Sequence, residues 1–316
     1  MRVLVGEDSF HERTALHSPN GAVYELRRNL KKAMYGCVYL GVELDLIHTS
    51  PLVYSHCPSF PKKVAIKVVE KRRLFTAAAT GSQEDPLKEI SVAQYLEDDA
   101  HPNLMGQLES ISDNTHYYIV MNFSGGGELF DVLDSMHHFS EPQARHYFSQ
   151  ILAGLSHLHS NGVCHRDLSL ENALVSEDGL ICQIIDFGMS LRFAVNEDGV
   201  VLPFPPLGAC GKRYYMAPEV FANEAPFSGP LADVWSLGVV LFIMVVGAPP
   251  VEFASRGDER FCTLAAGGMR AMVASWGVSN VSEAAFDLLE KILRVDPAER
   301  LSLADIRAHP WMQVPH

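Results

Sequence analysis

The 316-residue chain has six cysteines, Cys37, Cys57, Cys164, Cys182, Cys210 and Cys262, and no C-x-x-C pair among them. Scattered thiols exclude a disulfide framework and a cysteine-built zinc site. A reducing compartment is the expectation, cytoplasmic with the nucleus left open. Residues 1–10 carry acidic side chains and lack an apolar core of signal-peptide length. The longest apolar run, 234–250, falls short of a bilayer span and is broken by Ser236 and two glycines. It predicts a buried core helix and no membrane partner. Basic residues are also scarce, with 25 Lys and Arg against 38 Asp and Glu, a net charge of −13. That balance argues against nucleic acid as a partner. It suits a basic peptide, and it suits plain solubility as well.

What is present is an apolar content of 47%, enough for a large core and more than one lobe. Residues 24–69 read as strands, through Val23, Tyr24 and Leu26, then Val38, Tyr39 and Leu40, then a β-rich run at 64–69. Pro and Ser in 49–61 predict a long hairpin loop, and the small residues of 76–83 predict another. Asp85 as N-cap and Pro86 in the first turn start a short helix, with Leu87, Ile90 and Ala93 on one face. Residues 116–123 read as a strand and 124–127 as a glycine-rich joint. Beyond the joint the period becomes helical. Ser140 and Gln143 make a capping box, Ala144, Phe148, Ile151, Leu155 and Leu158 keep the period, and Asn161-Gly162 ends it. Asp178-Gly179 marks a hairpin, and further helices are expected over 231–246, 283–294 and 303–308. The fold class is α+β, with a strand-rich first third, a helix-rich remainder and a ligand cleft expected at their joint near Asn122.

The most specific local signal is His165-Arg166-Asp167 followed by Asn172, with Asp186-Phe187-Gly188 beginning 19 residues after Asp167. Phosphoryl transfer needs a positioned base near an acceptor hydroxyl and metal ions to gather phosphate charge. Mg²⁺ takes a few carboxylate or amide oxygens and completes its shell with phosphate. Asn172 and Asp186 offer such oxygens, and Asp167 offers an acceptor for the hydroxyl proton.

At these residues the chain resembles the eukaryotic protein kinase catalytic domain of serine/threonine type, over residues 24–311. The resemblance extends to Val64-Ala65-Ile66-Lys67, Ala217-Pro218-Glu219, the run from Asp233 to Gly238, Arg300 and His309-Pro310-Trp311. It implies a two-lobed fold: an extension over 1–23, an N-lobe over 24–121, a hinge over 122–127, a C-lobe over 128–311 and a tail over 312–316. It implies ATP and Mg²⁺ as cofactors and proteins as substrates. Lys67 would hold the α- and β-phosphates and pair with Glu89, although Glu89 also reads as an exposed charge beside Lys88 and Glu84. Leu30, Val38, Ala65 and Leu174 would sandwich adenine, Met121 would be the gatekeeper, and the backbones of Asn122 and Ser124 would bond the adenine edge. Glu128 would meet the ribose or a substrate arginine. Glu219 would pair with Arg300, and Asp233 would anchor the catalytic loop. Residues 210–219 and the helices that follow resemble calcium/calmodulin-dependent and cyclic-nucleotide-dependent kinases, and the chain as a whole is similar to the calcium/calmodulin-dependent-like group. Only five residues follow Trp311, so no calmodulin-binding segment is expected.

The chain departs from that pattern in three places. The glycine-rich loop reads Lys31-Lys32-Ala33-Met34-Tyr35-Gly36-Cys37-Val38, and only the glycine at Gly36 survives, which predicts weaker or less ordered ATP binding. It also keeps a pseudokinase scaffold as the alternative. Cys37 reads as redox-sensitive or as an inert thiol. Ser169 stands where the family has a lysine, and Lys212 where it has a threonine. Those two positions touch in the family, so Lys212 either supplies the absent ammonium or is an exposed base that recognises substrate. In the activation segment Ser190 is the only hydroxyl residue between Met189 and Cys210. Glu197 or Asp198 is therefore expected to face Arg166 in place of a phosphate. Glu128 and Glu171 match positions that receive substrate arginines, and they read equally as solvated acids.

Overall fold

The computed structural model describes residues 15–47, 53–55, 62–79 and 82–314. Residues 1–10, most of the 49–61 loop, Cys57 and the end of the 312–316 tail lie outside them. Two compact units are present. The first holds the described residues up to Asp98 together with Met105–Ser124, and the second holds Asp99–Leu104 and the described residues from Gly125 onward.

The first unit is built on one antiparallel sheet. Its strands are β1 (Ala15–His17), β2 (Val23–Ala33), β3 (Gly36–Ile47), β4 (Val53–Ser55) and β5 (Lys63–Glu70). Two helices follow, α1 (Lys71–Ala79) and α2 (Pro86–Tyr95), then β6 (Gln107–Ser112) and β7 (His116–Asn122). The sheet order is β1-β2-β3-β5-β7-β6, and β4 pairs with β3. The sheet curls until its two edges share a carboxylate. Glu109 on β6 accepts from the Ser18 hydroxyl beyond β1 and from the Tyr24 phenol on β2 at 2.5 Å. Burial and this carboxylate both push the Tyr24 phenol upward. One sheet face packs as a core of Tyr24, Leu26, Val64, Ile66, Val68, Ile111, Tyr118 and Val120. The period of two sends the alternate residues of β5 to the other face.

Three expectations fail here. Residues 76–79 belong to α1 and not to a loop, because Leu74 is anchored at 5% exposure beside Tyr35 and Val69 and holds the helix to the sheet. With Leu74 the one buried apolar residue among its described side chains, this nine-residue helix leaves little periodic trace in the sequence. The buried face of α2 is Pro86, Glu89 and Val92, whereas Leu87 is 38% exposed. A buried glutamate shifted the face away from the apolar stripe. Within 49–61, residues 53–55 form β4 rather than loop.

The second unit contains β8 (Gly127–Glu128), α3 (Leu129–Met136), α4 (Glu141–Ser160), β9 (Val163–Cys164), β10 (Ala173–Val175), β11 (Cys182–Ile184) and β12 (Leu191–Arg192). Helices α5 (Pro218–Ala222), α6 (Gly229–Val246), α7 (Glu259–Ala265), α8 (Met269–Ser275), α9 (Glu283–Ile292) and α10 (Leu303–Ala308) complete it. The expected capping box is formed, with the Gln143 side chain accepting from the Ser140 N–H at 3.1 Å and its hydroxyl at 2.8 Å. Helix α4 packs against both α6 and β11. Helix α6 is long and apolar enough to cross a bilayer, yet 89% of it is buried inside the fold, as a core helix should be. Asp99–Leu104 joins this unit although it precedes two strands of the other. Asn103 donates to the Cys182 carbonyl at 2.9 Å, and Leu104 bridges Ile184.

Candidate active site

In the first unit the strand register gathers several expected site residues. Val38 lies opposite Lys67, Ala65 opposite Met121, and Val64 opposite Asn122. Val38, Lys67, Ala65 and Met121 therefore share the sheet face opposite the Val64, Ile66 and Val68 core. Lys67 donates to Glu89 at 2.5 Å, and the two residues are 8% and 6% exposed. The Glu89 carboxylate is thus buried and paired, not a solvated helix charge. Asp85 presents the helix by accepting from the Leu87 N–H at 2.9 Å. Leu30 is 37% exposed on β2, and Ser124 is the last residue of this unit.

The altered glycine loop is a two-residue turn, Met34-Tyr35, between Ala33 and Gly36. Tyr35 is 2% exposed, and its phenol donates to the Glu84 carbonyl at 2.9 Å with the Ser82 hydroxyl equally near. Its carbonyl accepts from the Glu70 N–H. A buried aromatic side chain thus anchors the turn at the place where the family pattern has glycines. Gly36 has its own reason to persist: a Cβ there would sit 1.9 Å from the Val68 carbonyl oxygen of β5.

The catalytic loop of the second unit is held under strain by one carboxylate. Arg166 has φ +69°, a region costly to residues other than glycine, and Asp186, on the separate loop after β11, has φ +64°. Asp233 on α6, fully buried, accepts from the N–H groups of His165 and Arg166 at 2.7 Å each and from His159 Nε2 at 2.9 Å. These charge-assisted bonds offset the strained backbone. Asn172 turns back on the loop, its amide nitrogen donating to the Asp167 carbonyl and to Asp167 Oδ2, both at 2.8 Å. That leaves the Asn172 side-chain oxygen as the atom to offer a metal. The β10–β11 hairpin then returns the chain to the same place. The Ile185 N–H donates to the Asn172 carbonyl at 2.9 Å, and Asp186 Oδ1 accepts from the Gly188 N–H at 3.2 Å. Asp167, Asn172 and Asp186 are thus brought onto adjoining loops. One carboxylate and one amide oxygen form a hard donor set that suits Mg²⁺ completed by phosphate. Among the described residues no cluster of three or more His, Cys, Asp or Glu could hold a metal alone. Glu128 and Leu174 are cross-strand partners in the β8–β10 ladder.

Lys212 closes the site from the activation segment. Its N–H donates to Asp167 Oδ1 at 2.9 Å, and its ammonium donates to Asp167 Oδ2 at 3.2 Å and to the Ser169 hydroxyl at 2.8 Å. Gly211, at φ +91°, makes this approach possible, since a Cβ there would lie 2.8 Å from the Arg166 carbonyl oxygen. The glycine stands beside Lys212 in the sequence, but the need for it appears only where the two segments meet.

The expected pairing of Glu197 or Asp198 with Arg166 is not formed. Both acids lie exposed on a hairpin turn, where Asn196 Oδ1 accepts from the N–H groups of Asp198 and Val200 and Val195 bridges Val201. Arg166 instead donates to the Met189 carbonyl at 3.2 Å. The segment is fixed further by mutual backbone bonds between Phe204 and Phe227. Ser190, its only hydroxyl residue up to Cys210, is 3% exposed and sealed from a phosphorylating enzyme.

At the end of the segment Arg300 donates to both oxygens of Glu219 at 2.7 Å each and to the Leu231, Arg294 and Val295 carbonyls. It also stacks on Trp235. Replacing Arg300 with Ala strands the Glu219 carboxylate and three carbonyls. We expect a loss of about 3 kcal/mol, read as a fall of roughly 10 °C in the thermal midpoint. Arg300→Lys should recover little, because one ammonium cannot reproduce the fork. An unchanged midpoint would show the pair to be dispensable.

Strand order, strained loops and the oxygen-rich motif are together those of the two-lobed kinase fold. The chain belongs to the protein kinase family: the protein kinase domain matches residues 53–312. The match begins beyond the altered glycine loop. The chain is 31% identical over 260 residues to a probable serine/threonine-protein kinase fhkD of Dictyostelium discoideum, covering 78% of this chain and 33% of that protein. It is 34% identical over 254 residues to the human SNF-related serine/threonine-protein kinase, covering 80% and 30%. It is 32% identical over 293 residues to the CBL-interacting protein kinase 16 of rice, covering 92% and 56%. The chain therefore spans about a third of the length of the first two relatives and about half of the third.

Proposed function

We propose that the chain is an ATP-dependent protein kinase that phosphorylates serine and threonine side chains. The observation that carries this reading is the Asp167 carboxylate, which accepts from Asn172 and Lys212 beside the loop that bears Asp186. In this reading Asp167 takes the proton of the acceptor hydroxyl, and the bonds from Asn172 and Lys212 hold the carboxylate in one orientation. The Lys212 ammonium stands beside the same carboxylate, where it would face the negative charge of the phosphoryl group in flight. Lys67, held straight by Glu89, would bind phosphate oxygens. Asn172 and Asp186 would hold Mg²⁺, which when bound neutralises phosphate charge. Leu30, Gly36, Val38, Ala65, Met121, Asn122, Ser124, Glu128 and Leu174 complete the nucleotide-binding set in this reading.

The four polar groups that chemistry needs are all present, and the relatives are named as serine/threonine kinases, which favours an enzyme over a scaffold. We place it in the cytoplasm, near the calcium/calmodulin-dependent group, with protein substrates. A basic substrate would be met by Glu128 and Glu171, the acids expected to receive its arginines. Glu171 Oε2 is buried without a hydrogen-bond donor, and the carboxylate neighbours the Tyr215 phenol, which burial pushes upward. The deciding measurement is Mg²⁺-dependent transfer of labelled γ-phosphate from ATP to a protein mixture, followed by phosphoamino-acid analysis. Label on tyrosine alone, or none with ATP bound, would refute this function.

Because Ser190 is sealed and the segment is braced by its own hairpin, phosphatase treatment should leave turnover unchanged. A loss of turnover that maps to a phosphate between Met189 and Cys210 would contradict this.

A further inference from the structure

Arg213 is exposed one residue beyond Lys212, and nothing in the reading above uses it. Its guanidinium carbon lies 4.5 Å from the centroid of the Phe253 ring. Phe253 stacks in turn on Phe221, with centroids 5.6 Å apart and ring planes at 22°. A guanidinium lying on an aromatic face is held by its apolar plane while its N–H edges remain free to donate. Among the described residues no carboxylate pairs with Arg213, and Glu252, on the same loop as Phe253, does not reach it.

The platform under Arg213 is rigid. Asp258, 6% exposed, accepts from the N–H groups of Glu252 at 2.6 Å, Phe253 at 3.0 Å, Arg260 at 2.8 Å and Phe261 at 3.2 Å. Burial alone would raise its carboxyl, but the donors of Phe253, Glu252, Phe261 and Arg260 outweigh burial and hold it below the usual range. One carboxylate thus fixes the loop that presents the ring. The cation is also close to the chemistry. Lys212 bonds Asp167 through both its N–H and its ammonium, and the next Cα is about 3.8 Å further on. A peptide advances about 3.3–3.6 Å per residue, so residues within about three of a hydroxyl at Asp167 pass within reach of Arg213.

We propose that Arg213 is a specificity-determining residue that binds an oxyanion, a carboxylate or a phosphate, carried by the protein substrate close to the hydroxyl to be phosphorylated. The inference rests on the kinase reading of the same site, and it names a substrate class: proteins acidic, or already phosphorylated, next to the acceptor. Guanidinium and oxyanion meet through paired N–H donors, so geometry and charge both select.

The test is a positional peptide library on the full chain, with Ala, Asp or phosphoserine placed in turn at each position flanking a single acceptor. The wild-type protein should favour Asp over Ala about fivefold at one or more adjacent positions, and phosphoserine by more because it carries nearly two charges. Arg213→Gln should bring both ratios close to one, and Arg213→Glu should reverse them. Phe253→Leu, which keeps the cation and removes its platform, should lower them. A gain with phosphoserine alone assigns the anion to a prior phosphorylation, and a gain with both assigns it to charge in general. Equal turnover of all peptides by wild type, or ratios that survive Arg213→Glu, overturns the proposal. If no peptide is phosphorylated, the kinase reading fails first. Fluorescence anisotropy of the same peptides then decides: tighter binding of the anionic peptides that is lost in Arg213→Glu sustains the site, and equal binding overturns it.

Discussion

Asp167→Asn should lower turnover by about 10²–10⁴-fold, the range for losing a positioned general base. The replacement keeps size and shape but cannot satisfy the donors around it. Oδ1 accepts from the Lys212 N–H, and Oδ2 accepts from Asn172 and the Lys212 ammonium. An amide has one acceptor oxygen, so its NH₂ must face one of these donors in either orientation. The variant therefore loses the proton acceptor and also loosens the activation segment where Lys212 is tied. Labelled-ATP turnover should collapse, while ATP binding, read as a thermal shift, persists. A variant with wild-type turnover would remove Asp167 from the chemistry.

The second large effect concerns Lys212. Its ammonium lies 2.8 Å from the Ser169 hydroxyl and 3.2 Å from Asp167 Oδ2, so the positive charge is present at this place but arrives from the activation segment. Lys212→Thr should cost about 10²–10³-fold in turnover, as for losing one preorganised donor to a developing anion. Ser169 is fully buried, so Ser169→Lys alone crowds two ammonium groups against one carboxylate and should also lose activity. The double variant Ser169→Lys/Lys212→Thr puts the charge back on the catalytic loop and should recover most of the loss. Such a cycle isolates the exchange, because each single change is made worse by the partner that remains. Equal activities for the double variant and Lys212→Thr would leave Lys212 as an exposed base that recognises substrate. Its side chain is 33% exposed, so that competing role is physically open to it.

Much of the site was legible in the sequence for a local reason. His165 to Asn172 and Asp186 to Gly188 belong to short segments on either side of one hairpin, and a hairpin of that length returns the chain to its start. Asp85 with Pro86 and Ser140 with Gln143 signal helix starts within a single turn. The failures share the opposite property. Residues 76–79 belong to α1 and not to the expected loop, because the helix is held to the sheet by Leu74 meeting Tyr35 and Val69. Glu197 and Asp198 were assigned to Arg166 by charge alone, while the Asn196 turn carries them outward. The turn of the altered glycine loop is likewise fixed at long range, by Tyr35 reaching Glu84, 49 residues away.

The sequence by itself determined the family, the order of the elements and the polar groups available for phosphoryl transfer, because these depend on residue type and short spacing. Only the tertiary structure decided what those groups touch. Lys212 meets Asp167 across 45 residues, Arg300 meets Glu219 across 81, and Arg213 comes to rest on Phe253. Such contacts follow from how buried helices and strand registers pack, and packing is a property of the whole chain.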